Sequence, residues 1–222
     1  MAGTLFFCGA VKTAFETLAW PGAPDIAWGT VGALRDRVLA GERPAVIIVS
    51  DAAIAELVEK GLVRRHCVLP IGRTGTGLAV RDGAPRPAIG TPDQFKAALL
   101  AAESIAWADA SSGATAGRHF ESVIATLGID AALRAKAKLV RFGVEAVEAC
   151  SRGEVELAVS QTTEIVNRRG LSLLGEFPPP FALSTGYAAA PVAEDELAIA
   201  TMAQLASPMA RAALDAIGFR PG

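Results

Sequence analysis

Apolar runs and polar turns alternate along most of the chain. Short β-branched runs such as Val46–Ser50 predict buried strands, and longer runs with one apolar face predict helices. The predicted strands are 5–8, 25–28, 46–50, 78–80, 104–108, 138–141, 155–159 and 182–190. The predicted helices are 11–18, 33–40, 52–60, 92–101, 116–127, one from 129, 144–151, 194–205 and 208–217. This alternation predicts an α/β fold with helices on both faces of a sheet.

Two segments are interpreted as boundaries between lobes. One is Gly72–Gly77, which we interpret as a flexible connection, and the other is Phe177–Ser184. The chain would then leave a first lobe, 1–80 plus 185–222, build a second lobe, 81–184, and return. In such a fold we expect the ligand between the lobes, where strands end and helices begin.

Composition and charge exclude several classes of protein. The chain is 51% hydrophobic with few aromatic residues, which suits a buried sheet, and its net charge of −2 argues against nucleic-acid binding. The most apolar stretch, 46–58, contains Asp51 and Glu56, so no membrane span is predicted. Three cysteines without a CxxC pair indicate neither a disulfide framework nor a metal site, and no cofactor is predicted.

The strongest chemical signal is the segment 106–118. An apolar run ends in a small, polar turn with Ser111, Ser112 and Thr115, and this turn leads directly into a helix. Free backbone amides at a helix start, together with hydroxyl groups, form a place to hold an anion. Arg118 lies in the first helical turn, where a cation opposes the helix dipole and so favours a nearby anion. The alternative interpretation is that Ser111 or Ser112 only caps the helix.

Three more loops follow a predicted strand and open a helix. The first loop carries Ala10 and Lys12, the second carries Thr30 and Val31, and the third carries Ser160 and Gln161. The predicted ligand-binding set is therefore Ala10, Lys12, Thr30, Val31, Ser111, Ser112, Thr115, Arg118, Ser160 and Gln161.

Each of these residues also has an ordinary structural explanation. A lysine such as Lys12 is more often a solvated helix residue than a ligand contact, and Asp51 is most simply the N-cap of the helix that follows it. No nucleophile motif such as GxSxG or HExxH is present, and only His66 and His119 offer imidazole bases. Catalytic residues are therefore unknown from the sequence.

At these loops the chain resembles the molybdate-binding-protein-like branch of the type II periplasmic substrate-binding proteins. The matching pieces follow the family's order: Gly9-Ala-Val-Lys-Thr-Ala14, Gly32-Ala-Leu-Arg35 with Ala40-Gly41, Val46-Ile-Ile-Val-Ser-Asp51, Gly75-Thr-Gly-Leu-Ala-Val80, Ile105-Ala-Trp-Ala-Asp-Ala-Ser-Ser-Gly113, and Arg152-Gly-Glu-Val-Glu-Leu-Ala-Val159 before Ser160-Gln161. The resemblance covers nearly the whole chain. It implies two α/β lobes, each a mixed sheet flanked by helices, that close over a small anion.

Departures from the family's pattern bear on the ligand. The resemblance places Ala10 where a serine is expected and Gln161 where a tyrosine is expected, and the only tyrosine is Tyr187. Weak or absent molybdate binding is therefore predicted. Lys12 or Arg118 among several hydroxyl and amide groups suits a carboxylate, which takes charge-assisted hydrogen bonds.

Two functions remain open from the sequence. The first is a binding protein for a carboxylate or oxyanion, with an ABC permease as a candidate partner. The second is an isomerase of di- or tricarboxylates on the same scaffold, similar to the aconitate-isomerase-like members of this branch, for which Lys12, Arg118 and His119 offer chemistry. The sequence begins without a secretory signal, so a periplasmic location is predicted if a leader has been removed, and a cytoplasmic one otherwise.

Overall fold

A computed structural model describes residues 3–16, 18–166 and 168–221. The strands are β1 Thr4–Cys8, β2 Asp25–Gly29, β3 Val46–Ser50, β4 Leu69–Arg81, β5 Ile105–Ala108, β6 Ala137–Val140, β7 Leu157–Gln161, β8 Leu171–Glu176 and β9 Ser184–Pro191. The helices are α1 Lys12–Phe15, α2 Val31–Leu39, α3 Asp51–Glu59, α4 Pro92–Ala101, α5 Thr115–Thr126, α6 Asp130–Arg134, α7 Gly143–Ser151, α8 Thr162–Ile165, α9 Glu196–Leu205 and α10 Pro208–Ala216.

The chain divides into two compact units. Unit 1 consists of Met1–Thr74 and Thr185–Gly222, and unit 2 is Gly75–Ser184. The chain passes from unit 1 to unit 2 within β4 and returns at the start of β9. The lobe limits predicted above, 1–80 plus 185–222 and 81–184, stay a prediction.

Unit 1 is a mixed sheet with the strand order β2-β1-β3-β9. β1 runs parallel to β2 and β3, and β9 runs antiparallel to β3. β3 is buried at every position, as expected for a strand covered on both faces. Phe7 of β1 packs edge-on against Trp20 and Trp28, with ring centroids 5.2 and 5.9 Å away.

Unit 2 is also a mixed sheet, with the order β8-β4-β7-β5-β6. β5 is parallel to β6 and β7, whereas β4 is antiparallel to β7 and β8. One face carries an aromatic core, in which Trp107 meets Phe120 edge-on at 5.1 Å. The other face is lined by small side chains such as Ala106 and Ala158, so that α7 packs close to the sheet.

The predicted α/β class with mixed sheets flanked by helices is confirmed. The segment interpreted as a flexible connection, Gly72–Gly77, instead lies inside β4, and this interpretation was wrong. Strand pairing accounts for the end of this segment, because β4 pairs with β7 from Thr76 and with β8 from Gly77, and a Cβ at Gly77 would lie only 2.8 Å from the carbonyl oxygen of Gly175. Earlier in the segment, Arg73 forms a bridge with Arg220. β8 was not predicted.

Several helix starts differ from the predictions by one or two residues, and three of these lie at the predicted binding loops or the residue after β3. Ser50, not Asp51, is the N-cap of α3, and Asp51 is its first helical residue. α1 spans only Lys12–Phe15, because a 3-10 turn at Gly9–Val11 precedes it. The predicted helix there, 11–18, includes residue 17, which lies outside the described residues. α5 begins at Thr115 after the N-cap Ala114.

Candidate functional site

The polar residues of unit 2 gather where its parallel strands end. The chain leaves β5 for the turn Asp109–Ala114 and leaves β7 at Gln161 for α8. Since β5 and β7 are parallel, both exits lie at one edge of the sheet. Antiparallel β4 brings Thr76 opposite Gln161 at the same edge. We call this region, residues Asp109–Arg118, Ser160–Glu164 and Thr76, the unit 2 edge.

The N-terminus of α5 at this edge has no capping group. Among the described helices of eight or more residues, α2, α4, α9 and α10 have a side chain that caps the first turn, and α3 and α7 carry an acid there. α5 has neither. Its positive helix end is therefore not neutralised by a side chain of its own first turn. Arg118, exposed in that turn, adds a positive charge.

Several buried polar atoms of unit 2 have no hydrogen-bond partner among the described residues. They are both amide atoms of Gln161 and the hydroxyl oxygens of Thr76, Thr115 and Thr163. Gln161 is only 4% exposed, and Thr76 and Thr163 are almost fully buried. An unsatisfied buried group costs about 1–3 kcal/mol, a cost that a polar ligand group in contact with it would offset.

Ser111 and Ser112 organise the turn that precedes α5. The backbone N–H and the hydroxyl of Ser111 both donate to Oδ1 of Asp109, at 2.8 and 2.5 Å. Both bonds hold the pKa of Asp109 below its ordinary value, and the bond from the Ser111 hydroxyl has the larger effect. The hydroxyl of Ser112 donates to the Asp109 carbonyl at 2.7 Å. Neither serine caps α5, so the alternative interpretation of these residues as helix caps was wrong.

A glycine fixes the approach of α5 to the sheet. Gly117 lies in the first turn of α5, and a Cβ there would overlap the carbonyl oxygen of Ala108 at the end of β5. Only a residue without a side chain allows this close packing. The position of the helix end beside β5 therefore depends on Gly117.

A buried carboxylate lies beside these residues and was not predicted. The Ser160 hydroxyl donates to Oε2 of Glu164, and the two residues are 0% and 7% exposed. Gly143, the first residue of α7, packs so closely that a Cβ there would overlap both side-chain oxygens. The signal in the sequence that could have identified this pair is the spacing of Ser160 and Glu164, which lie four residues apart on either side of a helix start.

The predicted residues of unit 1 follow its parallel strands β1 and β2. Ala10 and Val31 are buried, and Lys12 is half-buried at the start of α1. Thr30 is also buried, and its hydroxyl accepts a hydrogen bond from the Ala33 amide at 3.1 Å as the cap of α2. The strand order brings both loops to one edge of the unit 1 sheet.

An ion pair near this edge was missed. Nη1 of Arg73 lies 3.8 Å from Oδ2 of Asp51, which follows β3. A Cβ at Gly186 would overlap Asp51 Oδ2 and lie 2.9 Å from Arg73 Nη1. Arg73 escaped notice because its segment was interpreted as a flexible connection.

His119 has a packing role in unit 2. Its Nε2 lies 2.7 Å from the Phe181 carbonyl oxygen, and its ring stacks on Phe177 at 5.8 Å. Among the described residues, no three His, Cys, Asp or Glu side chains are grouped to hold a metal ion. In the same part of the chain, no helix has the length and apolar character needed to cross a bilayer.

Two units, each a mixed sheet with helices that begin where its strands end, are typical of a class of solute-binding proteins. The chain belongs to the family of bacterial extracellular solute-binding proteins, whose model matches residues 23–220. It is similar to the aconitate isomerase of a Pseudomonas species, with 31% identity over 196 residues, covering 86% of this chain and 73% of that protein.

Solved structures share the fold of the whole chain. The periplasmic molybdate-binding protein of Azotobacter vinelandii superposes with a TM-score of 0.75 at 17% identity, covering 99% of each chain. The sulfate-binding protein SubI of Mycobacterium tuberculosis gives 0.64 at 19% identity, covering 100% of this chain and 87% of that one. These similarities establish the fold of periplasmic binding proteins.

Proposed function

We propose that this protein binds a small carboxylate anion and that the unit 2 edge supplies its principal donors. The observation that carries the proposal is the uncapped start of α5 beside the buried, unpartnered amide of Gln161. Ser111, Ser112, Thr115, Arg118 and Ser160 belong to the same proposed binding set. In unit 1 the proposed contacts are Ala10, Lys12, Thr30 and Val31.

The donor chemistry favours a carboxylate over molybdate. Among the residues described at the unit 2 edge, backbone amides and neutral side chains occur with one cation, Arg118, and with two carboxylates, Asp109 and Glu164. Asp109 accepts from both hydroxyl groups of the turn, and Glu164 accepts from Ser160. Ala10 has no hydroxyl to offer, and Gln161 offers an amide in place of a phenol. The similarity to an enzyme named for aconitate, a tricarboxylate, also favours this ligand class.

Transport is the process we propose for the bound anion. The family is described as extracellular and solute-binding. We therefore propose that the protein works outside the cytoplasm and delivers its ligand to an ABC permease.

A second candidate function is isomerisation of a di- or tricarboxylate by proton transfer. One specific observation favours it, namely the similarity to an aconitate isomerase over 86% of the chain. The chain also carries a carboxylate at the unit 2 edge, Glu164, that can exchange a proton.

The deciding experiment is a ligand panel measured by thermal shift and calorimetry. The probes are citrate, cis- and trans-aconitate, tricarballylate, succinate, molybdate and sulfate. A specific ligand at 100 times its Kd adds about 2.7 kcal/mol to the apparent free energy of unfolding. We expect a tri- or dicarboxylate to bind and molybdate to bind weakly; submicromolar molybdate affinity would overturn the proposed preference.

A variant pair tests whether the unit 2 edge is responsible. Gln161→Leu removes both unpartnered amide atoms while keeping a similar volume. We expect carboxylate binding to weaken at least about tenfold, since each donor to a charged ligand contributes about 1.5–3 kcal/mol. Gln94→Leu, at an exposed position of α4, is the control and should leave the Kd unchanged. Unchanged binding by Gln161→Leu would exclude this edge as the site.

A further inference from the structure

The side-chain amide of Gln161 has both a donor and an acceptor that the described residues leave unsatisfied. Its Nε2 carries N–H donors and its Oε1 is an acceptor, and both atoms are buried without a partner among those residues. The whole residue is only 4% exposed. Rotation of the amide by half a turn exchanges the two atoms but leaves the same need, because one end always donates and the other always accepts.

The local structure around Gln161 does not use this acceptor. Gln161 is the N-cap of α8, a position where a side-chain oxygen can accept a bond from the first helical turn, yet its side chain accepts none from the described amides of that turn. Thr76 lies opposite on β4, and its hydroxyl is itself without a partner among the described residues. Helix capping and strand pairing therefore do not account for Oε1.

A carboxylate alone cannot satisfy the Gln161 amide. An ionised carboxylate only accepts hydrogen bonds, so it can bond to Nε2 but leaves Oε1 beside another acceptor. The hydroxyls of Thr76 and Thr163 have no such requirement, because a hydroxyl can turn to donate its proton to a carboxylate. The amide of Gln161 thus matches a ligand that carries a hydroxyl as well as a carboxylate, since a hydroxyl both donates and accepts.

The strand register relates this amide to the proposed carboxylate contacts. β5 and β7 are parallel neighbours with Ala106 opposite Ala158, and this register, continued along the strands, brings Asp109 level with Gln161. Neighbouring strands lie about 4.8 Å apart. The turn that leads into α5 therefore begins beside Gln161, and a ligand with its hydroxyl on the carbon next to a carboxylate can reach both.

We propose that Gln161 selects a 2-hydroxycarboxylate, with Oε1 accepting the proton of the ligand hydroxyl and Nε2 donating to a ligand oxygen. This inference rests on the proposed carboxylate binding at the unit 2 edge and narrows its ligand class to hydroxylated di- and tricarboxylates. A site built around a ligand hydroxyl disfavours the analogue that lacks it, because buried groups of the protein are then left unpaired.

Pairs of probes that differ only in one hydroxyl group test this selection. Citrate is compared with tricarballylate, and each enantiomer of malate with succinate, by calorimetry at a pH where all the carboxyl groups are ionised. We expect citrate and at least one malate to bind at least about tenfold more tightly than their partners, since a lost hydrogen bond leaves Oε1 unpaired again. Equal affinities within both pairs would overturn the proposal.

A double-mutant cycle assigns the selection to Gln161. In Gln161→Leu the ligand hydroxyl has no amide to bond, so both probes should bind more weakly and the preference for citrate over tricarballylate should disappear. Thr163→Val is the matched control, because this hydroxyl is also buried and unpartnered among the described residues. It should weaken both probes by the same factor and keep the wild-type ratio. A wild-type ratio in Gln161→Leu would show that Gln161 does not recognise the hydroxyl; Gln161→Met replaces this variant if it does not fold.

The possible failures can be told apart. If no carboxylate of the panel binds, the proposed function itself fails, and this inference with it. If tricarballylate and succinate bind as tightly as their hydroxylated partners, the carboxylate site stands and the selection for a hydroxyl is excluded. L-Aspartate separates the hydroxyl from an ammonium donor, and tighter binding of aspartate than of either malate would also overturn the proposal.

Discussion

Thr76 and Gln161 lie directly opposite each other on β4 and β7, and the polar atoms of both side chains are buried without a partner among the described residues. Paired residues on neighbouring antiparallel strands share a face of the sheet. Two adjacent unsatisfied side chains at a strand end are costly for folding alone. We propose that a bound ligand satisfies these groups.

A matched pair of threonines tests the unit 2 edge. Thr163 in unit 2 and Thr201 in α9 of unit 1 are both fully buried with unpartnered hydroxyls. Thr→Val at either position should raise the free energy of unfolding, by up to about 1–3 kcal/mol, because an unsatisfied buried hydroxyl is removed and no hydrogen bond is lost. Only Thr163→Val should weaken carboxylate binding, by about tenfold in calorimetry. Equal Kd values for the two variants would remove Thr163 from the site.

The double variant Ser111→Ala, Ser112→Ala should weaken ligand binding at least about tenfold. The loss of both hydroxyls frees the Asp109 turn that leads into α5 and removes two polar groups from the edge. The free energy of unfolding should fall by about 1–3 kcal/mol, because two hydrogen bonds of about 0.5–1.5 kcal/mol each are lost. Ser207→Ala, which removes the cap of α10 in unit 1, is the control for a serine lost at a helix start. Normal binding with a large loss of stability would give these serines a structural role only.

Gly117→Ala should impair both folding and binding. The added methyl group overlaps the Ala108 carbonyl, and overpacking of this kind typically costs about 1–3 kcal/mol. Because α5 must move away from β5, the Kd for the carboxylate should rise as well. Gly90→Ala is the control, since a Cβ there meets only Gln94 Oε1 at 3.6 Å. Denaturant melts and calorimetry of both variants provide the comparison; a Gly117→Ala protein as stable as Gly90→Ala would contradict the close packing.

Glu154 should contribute to the acid sensitivity of unit 2. Hydrogen bonds from Arg152, which has the larger effect, and from Lys138 lower the pKa of Glu154 from its ordinary 4.5 to about 2. A folded pKa below the unfolded one gives stability that is present above about pH 4.5 and is lost as the pH falls towards 2. Glu154→Gln should flatten the stability curve over this range, and 1 M salt should reduce the difference because the group is exposed. An unaltered curve would show that the pair contributes nothing.

The sequence alone was sufficient to predict those strands and helices whose local pattern of apolar residues matches their burial in the fold. The β-branched run 46–50 became β3 with the predicted bounds, because a strand covered on both faces must be apolar throughout. α4 spans Pro92–Ala101 as predicted, and Thr91 caps it through a bond from the Gln94 amide to its hydroxyl, which is local in sequence. The mixed α/β class followed from many such local patterns taken together.

Tertiary structure decided what depends on distant neighbours. Gly72–Gly77 has the composition of a loop but lies within β4, because Arg73 forms a bridge with Arg220 and the pairing with β7 and β8 begins at Thr76 and Gly77. The hydroxyl groups of Ser111 and Ser112 donate to Asp109, and the N-cap of α5 is Ala114, which has no side chain that can cap a helix. The burial of Glu164 between Ser160 and Gly143 also depends on the folded structure, because Gly143 lies far from it in the sequence. A sequence specifies hydrogen bonds within one or two turns, whereas burial and pairing across a sheet arise only once the chain has folded.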